Sequence, residues 1–210
     1  MSTIELDGHA VPTQDLIDAY GRGEKGRQEM RHGDWIQTYT GLAMYPLDPR
    51  PEEVDLVDIA RALSNLCRFT GHTRKFYSVA EHSVHCSRIV PPEHALWALL
   101  HDASEAYISD VSRPLKNQDA FGAYREAETR LQAAICAKFG LPNVQPEEVK
   151  KADAIMLAIE AADLMAPLRP DWQRWLVDIG SVDISVATPW SPERAFSSFM
   201  ERAIELGLVP

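Results

Sequence analysis

A histidine and an aspartate stand side by side inside an apolar run, and this pair constrains the fold more than any other feature of the sequence. The run reads Leu99-Leu100-His101-Asp102-Ala103. A charged group in such a run is costly to bury unless it has a partner. Because neighbouring residues on a helix point about 100° apart, one metal ion between those directions could be reached by both side chains. The fold must then bring further ligands to the pair from other segments.

Two further ligand candidates stand on predicted helices before and after this pair. Upstream, Ser78-x-x-Glu81 is a capping box that starts a helix and puts His82 in its first turns. Downstream, Asp153 stands between two alanines in a helical pattern. Two imidazoles and two carboxylates suit a divalent first-row metal ion that keeps open positions for water.

These residues also have alternative roles. His101 and Asp102 could form a buried ion pair without a metal. The fourth ligand could be Glu160 or Asp163 instead of Asp153, because all three stand on the same predicted helix. For Glu160 and Asp163 we expect structural pairing with arginine or lysine.

Apolar residues recur at helical spacing along most of the chain. The predicted helices cover about residues 51–69, 78–90, 92–107, 119–139, 146–165 and 192–206. From Trp35 to Tyr45 the pattern alternates instead, and Thr40-Gly41 predicts the turn of a hairpin. We therefore predict a mainly all-α fold with a small β-hairpin near the N-terminus.

The domain organisation follows from the same pass along the chain. Residues 1–34 are polar and interrupted by glycine, which predicts an N-terminal extension. Residues 35–210 then form one domain, with a metal-site core at about 52–166 and a C-terminal helix at about 192–206. A length of 210 residues fits one domain with such an extension.

The charge balance limits the partners of the protein. Lysine and arginine number 21 against 31 aspartates and glutamates, which gives a formal net charge of −10. Such a chain does not suit a general nucleic-acid backbone or an anionic membrane surface. A small phosphorylated substrate remains compatible, because a metal ion and a few local cations can reverse the field inside one pocket.

The sequence predicts a cytoplasmic location. Its N-terminus lacks a basic segment followed by an apolar run, so no signal peptide is expected. No apolar stretch approaches the roughly 20 residues needed to span a bilayer. Cys67, Cys86 and Cys136 show no CxxC spacing, which predicts reduced thiols rather than a disulfide or zinc framework.

The order of these residues resembles the HD-domain metal-dependent phosphohydrolases, in particular the 5′-deoxynucleotidase branch and its deoxynucleoside-triphosphatase relatives. The segments that carry the resemblance are Ala80-Glu81-His82-Ser83, Leu100-His101-Asp102-Ala103-Ser104-Glu105, Asp110, Pro114-x-Lys116 and Lys150-x-x-Asp153. The similarity covers roughly residues 38–166. It implies that the helices form an HD-domain bundle.

The resemblance also implies a metal site and the residues beside it. One divalent ion, which could be Mn, Co, Fe, Ni, Zn or Mg, would be held by His82, His101, Asp102 and Asp153. Glu105 would orient or activate the attacking water, or protonate the leaving oxygen, and Asp110 would assist it. Their plainer alternatives are a surface acid for Glu105 and a turn residue for Asp110.

Substrate contacts are implied by the same resemblance. Phosphate oxygens would be bound by Arg68, Lys116 and Lys150. The family carries tryptophan after this arginine, whereas this chain has Phe69, which keeps an aromatic ring for the sugar or base. His72 could line the same pocket. The alternatives are an ion-pair role for Arg68 and solvated charges for the two lysines.

The implied activity is hydrolysis of phosphate from (deoxy)nucleoside mono- or triphosphates through a metal-activated water. The expected partner is therefore a small nucleotide, without nucleic acid or membrane, and a homodimer is common among similar proteins. Alternatives are a phosphodiesterase for cyclic nucleotides or oligonucleotides, and a nucleotide-binding HD protein with a structural metal. Glu105, Lys116 and Arg68 argue against the last, because a purely structural metal needs none of them.

Overall fold

The computed structural model describes residues 3–6, 9–12, 31–173 and 176–208, with backbone only for 3–6, 9–12 and 173. The chain divides into two compact units, Met1–His32 and Gly33–Pro210. In the first unit, β1 (Thr3–Leu6) and β2 (His9–Pro12) pair antiparallel. This pair of strands is not predicted by the sequence pattern. Most of the predicted N-terminal extension, residues 1–34, lies outside the described residues and stays a prediction.

A small hairpin opens the second unit, as predicted. Strands β3 (Ile36–Gln37) and β4 (Ala43–Met44) pair antiparallel. At the turn, the backbone N–H of Thr38 donates to Leu42 O over 2.9 Å. Gly41 has a φ of +90°, a conformation that glycine adopts without strain. The turn therefore falls where the Thr40-Gly41 pair predicts it.

The rest of the second unit is helical, which confirms the predicted fold class. Its helices are α1 (Leu56–Asn65), α2 (Val79–Ile89), α3 (Ala95–Leu99), α4 (Glu105–Ile108), α5 (Arg113–Lys116), α6 (Gly122–Phe139), α7 (Glu147–Leu164), α8 (Pro170–Gln173) and α9 (Pro192–Glu205). Short 3-10 turns lie at Pro51–Glu53, Arg68–Gly71, Pro92–His94 and Asp119–Phe121. None of the helices described by the structure has the length and apolar character needed to cross a membrane.

Helix α2 lies at the centre of this unit. It packs against α1, α3, α7 and α9. Two apolar clusters meet on it, one around Leu63 and Phe199, and the other around Tyr77 and Met156. Burial of such side chains supplies the main favourable term in folding. Because His82 lies on α2, this packing puts it next to residues from several other helices.

The predicted helix over residues 92–107 is interrupted where the histidine and aspartate stand. Helix α3 ends at Leu99, and the next residues form i→i+3 hydrogen bonds, from Ala103 N to Leu100 O and from Glu105 N to Asp102 O. The side chain of Gln132 also donates to Leu100 O, over 3.0 Å. That carbonyl is thus satisfied outside an α-helical pattern. His101 and Asp102 lie in the turn between α3 and α4, not within one continuous helix.

The predicted helix over residues 51–69 is also divided. The first turn, Pro51–Glu53, is separate, and α1 begins after Asp55, whose carboxylate accepts from the backbone N–H groups of Val57 and Asp58. An aspartate at this position satisfies free N–H groups of a helix start. Because of this cap, α1 starts five residues later than the predicted helix.

Ser78 caps helix α2, as the capping box predicts. Its hydroxyl oxygen accepts a hydrogen bond from the backbone N–H of Glu81 over 3.1 Å. The carboxylate of Glu81 instead accepts from the backbone N–H of Trp190 over 2.8 Å, so it joins α2 to the segment before α9.

We expect Ser78→Ala to destabilise the protein by about 1–2 kcal/mol, because it leaves the N–H of Glu81 buried without an acceptor. Urea unfolding monitored by circular dichroism would measure the shift in midpoint. Ser191→Ala is the matched control, since Ser191 caps α9 in the same way at an exposed position. Its expected cost is smaller, about 0.5–1 kcal/mol, because water can replace the lost acceptor. Equal midpoints for wild type and Ser78→Ala would contradict this account of the cap.

Candidate metal centre

The four predicted metal ligands come together where α2, the α3–α4 turn and α7 meet. His82 Nε2 lies 3.2 Å from His101 Nε2 and 3.3 Å from Asp153 Oδ1. Asp102 Oδ2 lies 3.2 Å from His101 Nε2 and 3.7 Å from His82 Nε2. The two histidine side chains are almost fully buried, whereas the two aspartates retain contact with solvent. The site therefore has a closed side and an open side.

These separations fit the shell around one metal ion. Metal–ligand bonds of about 2.0–2.2 Å place neighbouring ligand atoms about 3–3.5 Å apart. His101 Nδ1 lies 2.8 Å from Ala98 O, which can only accept, so Nδ1 carries the hydrogen in the neutral ring. His82 Nδ1 likewise donates to Glu160 Oε1 over 2.6 Å. With both rings neutral, the two Nε2 atoms would be free to bind a cation together with the two carboxylates.

Glu160 lies on the far side of His82 from this group. Its carboxylate is fully buried and accepts hydrogen bonds from Tyr77 Oη at 3.0 Å and Arg68 Nε at 3.1 Å, besides His82. Glu160 therefore forms the predicted ion pair with an arginine. It contacts His82 at Nδ1, whereas the candidate metal ligand atoms lie on the Nε2 side of that ring. Asp163 accepts from Ser185 Oγ and Val186 N, away from the metal group.

Arg68 is the cation that accompanies the carboxylates. Its Nη1 lies 3.4 Å from Asp102 Oδ2, and its Nη2 lies 3.9 Å from Asp153 Oδ1. Burial raises the pKa of Asp153, as does the charge of Asp102, but His82 and His101 lower it to about 2. Burial likewise opposes ionisation of Asp102, and His101, His82 and Arg68 hold its pKa well below the usual range. Both carboxylates are therefore charged and available as ligands near neutral pH.

Cys86 is a neighbour that the sequence analysis did not select. The ligand atoms of His82, Cys86 and His101 lie within 4.8 Å of one another, so these three residues form a group that could hold a metal ion. Cys86 Sγ lies 3.4 Å from Nε2 and 3.9 Å from Nδ1 of His82, which puts the sulfur beside the ring and off the Nε2 lone-pair axis. Burial raises the pKa of this thiol, so it is a neutral group. The available signal was its i, i+4 spacing from His82 on α2.

Glu105 and Asp110 lie near Asp102, as the resemblance implies. Glu105 is buried, and its Oε2 has no hydrogen-bond partner among the described residues. Burial, together with the charges of Asp102 and Asp110, raises the pKa of Glu105 well above its usual range. Burial also raises the pKa of Asp110. Between them, Ser109 has a φ of +69°, a strained conformation for a residue with a side chain.

The segment that carries Arg68 is a loop closed at its base. The backbone N–H of Arg68 donates to Tyr77 O over 2.9 Å, and Cys67 and Ser78 form an isolated antiparallel bridge. Inside the loop, Phe69 has a φ of 55°, in the left-handed region, and its half-buried ring lies 5.6 Å from the Arg68 guanidinium. Phe69 is thus beside the predicted phosphate ligand.

The other predicted substrate contacts differ in position. Lys116 is half-buried, donates to Glu128 over 2.6 Å, and contributes to the electrostatic field at Glu105. Lys150 is exposed on α7 and pairs with Glu147 at 3.2 Å. His72 is exposed as well. In the described part of the chain, no hydrogen bond or ion pair joins Lys150 or His72 to the four ligand atoms.

Comparison with known proteins gives two relatives and no family description. No family model matches the sequence. The chain is 41% identical over 172 residues to the uncharacterized protein YfdR of Escherichia coli strain K12, across 82% of this chain and 95% of that protein. It is 36% identical over 141 residues to an uncharacterized protein of Rhodobacter capsulatus, across 63% of this chain and 68% of that protein.

Proposed function

The chain belongs to the same family as Escherichia coli YfdR, and we propose that it is a divalent-metal-dependent phosphohydrolase that acts on nucleotides. The observation that carries the proposal is the meeting of His82 Nε2, His101 Nε2, Asp102 Oδ2 and Asp153 Oδ1 within 3.2–3.7 Å of their neighbours. Two imidazoles and two carboxylates suit Mn, Fe, Co, Ni or Zn, and Mg remains compatible through its preference for oxygen ligands.

The bound ion would supply Lewis acidity, by activating water for attack and offsetting charge on the phosphoryl group. The residues of the chain then have separate tasks. Asp102 and Asp153 hold the ion on the open side of the site. His82 and His101 hold it from the buried side, each with its ring fixed by an acceptor at Nδ1.

The cations of the site support an anionic substrate. Arg68 and Lys116 both contribute to the field at Glu105, so two positive charges lie close to the acids of a protein with net charge −10. Arginine binds phosphate oxygens through a planar pair of N–H donors, and lysine binds them as a point charge. We assign both residues to the phosphate group of a nucleotide.

Glu105 is suited to move a proton during the reaction. Its raised pKa lets the carboxyl group hold and release a proton closer to neutral pH than an ordinary glutamate does. Its Oε2, which has no partner among the described residues, can contact the water or the leaving oxygen. Asp110, whose own pKa is raised, assists in the same acid–base region.

A nucleotide panel combined with a metal panel tests this function. The chelator-treated protein is reloaded with Mn, Co, Fe, Ni, Zn or Mg in turn and incubated with nucleoside and deoxynucleoside mono- and triphosphates. We expect phosphate, pyrophosphate or triphosphate release only in the presence of an ion, with no release from the chelated protein. Melting that responds to metal without turnover on any nucleotide would overturn the proposal and favour a structural ion.

A further inference from the structure

One buried carboxylate joins the candidate metal site to the candidate phosphate site. Glu160 on α7 has no exposed surface. Its Oε1 accepts from His82 Nδ1 at 2.6 Å and from Tyr77 Oη at 3.0 Å, and its Oε2 accepts from Arg68 Nε at 3.1 Å. A buried carboxylate is retained at little cost only when donors of this kind surround it.

The two oxygens of Glu160 fix two different neighbours. At Oε1, the short contact sets the tautomer and ring orientation of His82, so that Nε2 faces His101, Asp102 and Asp153. At Oε2, the contact fixes the guanidinium of Arg68 through Nε and leaves the two terminal nitrogens directed at Asp102 and Asp153. A neutral side chain at position 160 would provide no negative charge to hold both His82 and Arg68.

We propose that Glu160 is a positioning residue that orients His82 for metal binding and holds Arg68 ready for the phosphate group. The proposal rests on the proposed function for the identity of that anion, but its metal arm stands on the geometry of Glu160 alone.

Arg68 and a bound metal ion would compete for the same two carboxylates, Asp102 and Asp153. In the described contacts, the Arg68 guanidinium lies against the Asp102 and Asp153 oxygens that also face His82. Two cations near one pair of carboxylates repel each other. Metal binding at Asp102 and Asp153 would therefore weaken their hold on the terminal nitrogens of Arg68, while Nε would stay bound to Glu160. The terminal nitrogens are then available to phosphate oxygens.

Metal affinity of the full chain tests this proposal, by competition with a chromophoric chelator for Co²⁺ and Zn²⁺. For Glu160→Gln we expect roughly 10- to 100-fold weaker binding, because the amide has no negative charge and only one acceptor oxygen for three donors, which weakens the support behind a ligating histidine. For Arg68→Gln we expect tighter binding, because a positive charge 3.4 Å from a ligand carboxylate is removed. Asp163→Asn is the matched control on the same helix, and its metal affinity should equal that of the wild type.

Two readouts separate positioning from general stability. In the Zn²⁺-loaded protein, where Nε2 of His82 would be a ligand, ¹⁵N NMR of the histidines should show the hydrogen of His82 on Nδ1, with a mixed population in Glu160→Gln. The inhibition constant of inorganic phosphate for the metal-loaded protein should rise in Glu160→Gln and stay constant in Asp163→Asn. A histidine tautomer and metal affinity unchanged by Glu160→Gln would overturn the proposal.

The outcomes also separate this proposal from the function. Glu160→Gln that fails to fold leaves Arg68→Gln as the test, and weaker metal binding in that variant would overturn the proposed arrangement. Metal binding that depends on Glu160, in a wild type that hydrolyses no nucleotide, would retain the positioning role and reject the phosphohydrolase. Nucleotide hydrolysis in a Glu160→Gln variant with wild-type metal affinity would support the phosphohydrolase and reject the positioning role.

Discussion

Alanine in place of His101 is expected to abolish metal binding and to lower phosphate release from nucleotides by at least roughly 10³-fold, or about 4 kcal/mol of transition-state stabilisation. His101 Nε2 lies 3.2 Å from both His82 Nε2 and Asp102 Oδ2, so its loss opens the middle of the ligand set. The His82 ring does not move into that gap, because Glu160 Oε1 holds its Nδ1 at 2.6 Å. Metal content by mass spectrometry and kcat/KM on the best nucleotide would measure the two effects.

His94→Ala provides the matched control for this variant. His94 immediately precedes α3 and pairs with Glu148 at 3.5 Å. Its replacement removes an imidazole of the same size without touching the four ligand atoms, so metal content and kcat/KM should both stay near wild type. Metal-dependent turnover within tenfold of wild type in His101→Ala would show that the reaction takes place elsewhere.

Glutamine in place of Glu105 is expected to separate catalysis from metal binding. The amide has the shape of the carboxyl group but cannot hold or release the proton, so kcat should fall by roughly 10²- to 10⁴-fold. Metal content should remain, because Glu105 is not one of the four converging ligands. Steady-state kinetics beside metal analysis of the same preparation would measure both quantities.

Glu126→Gln makes the same chemical change on the exposed side of α6, where Glu126 lies 3.9 Å from Arg130. We expect wild-type kcat and metal content for it. If Glu105→Gln kept its kcat, the proton transfer would have to be assigned to another group, and Asp110 would be the next to test.

Local signals in the sequence pointed to the residues that meet, with Glu160 and Asp163 left open as alternatives to Asp153, and the resemblance to the HD-domain phosphohydrolases implied the full set. His82 follows the Ser78 cap, and the structure contains that cap. Asp153 stands in a small, apolar context that requires a reason for its charge, and it lies 3.3 Å from His82 Nε2. These positions are predictable because helix starts and buried charges leave local signals in the sequence.

The partners of Glu160 could not be predicted in the same way. His82 and Glu160 stand 78 residues apart, and Tyr77 and Glu160 stand 83 apart, so their meeting depends on how α2 packs against α7. The break between α3 and α4 is equally hard to predict from the sequence, because it depends on a hydrogen bond from Gln132 on α6 to the Leu100 carbonyl. Contacts of this range leave no periodic pattern in the sequence.

A local pattern predicts which face of a helix carries a side chain, but not which group that side chain contacts. Lys150 stands one turn before Asp153 on α7, but the structure pairs it with Glu147 at the surface. A position on a helix defines a face only approximately, and the last atoms of a long side chain follow the nearest available charge.

The loop that follows Arg68 has a base held by backbone contacts and several exposed positions beyond it. Its base is closed by backbone contacts between Arg68 and Tyr77 and between Cys67 and Ser78, and residues 70–72 and 74–76 are exposed. Backbone contacts do not depend on side-chain identity, so exposed positions with ordinary backbone angles can be exchanged without moving Arg68 from Glu160, whereas Gly71 has a φ of +79° that side chains rarely adopt. Side-chain changes on the exposed part of this loop can therefore alter the surface beside Arg68 without altering how Glu160 holds it.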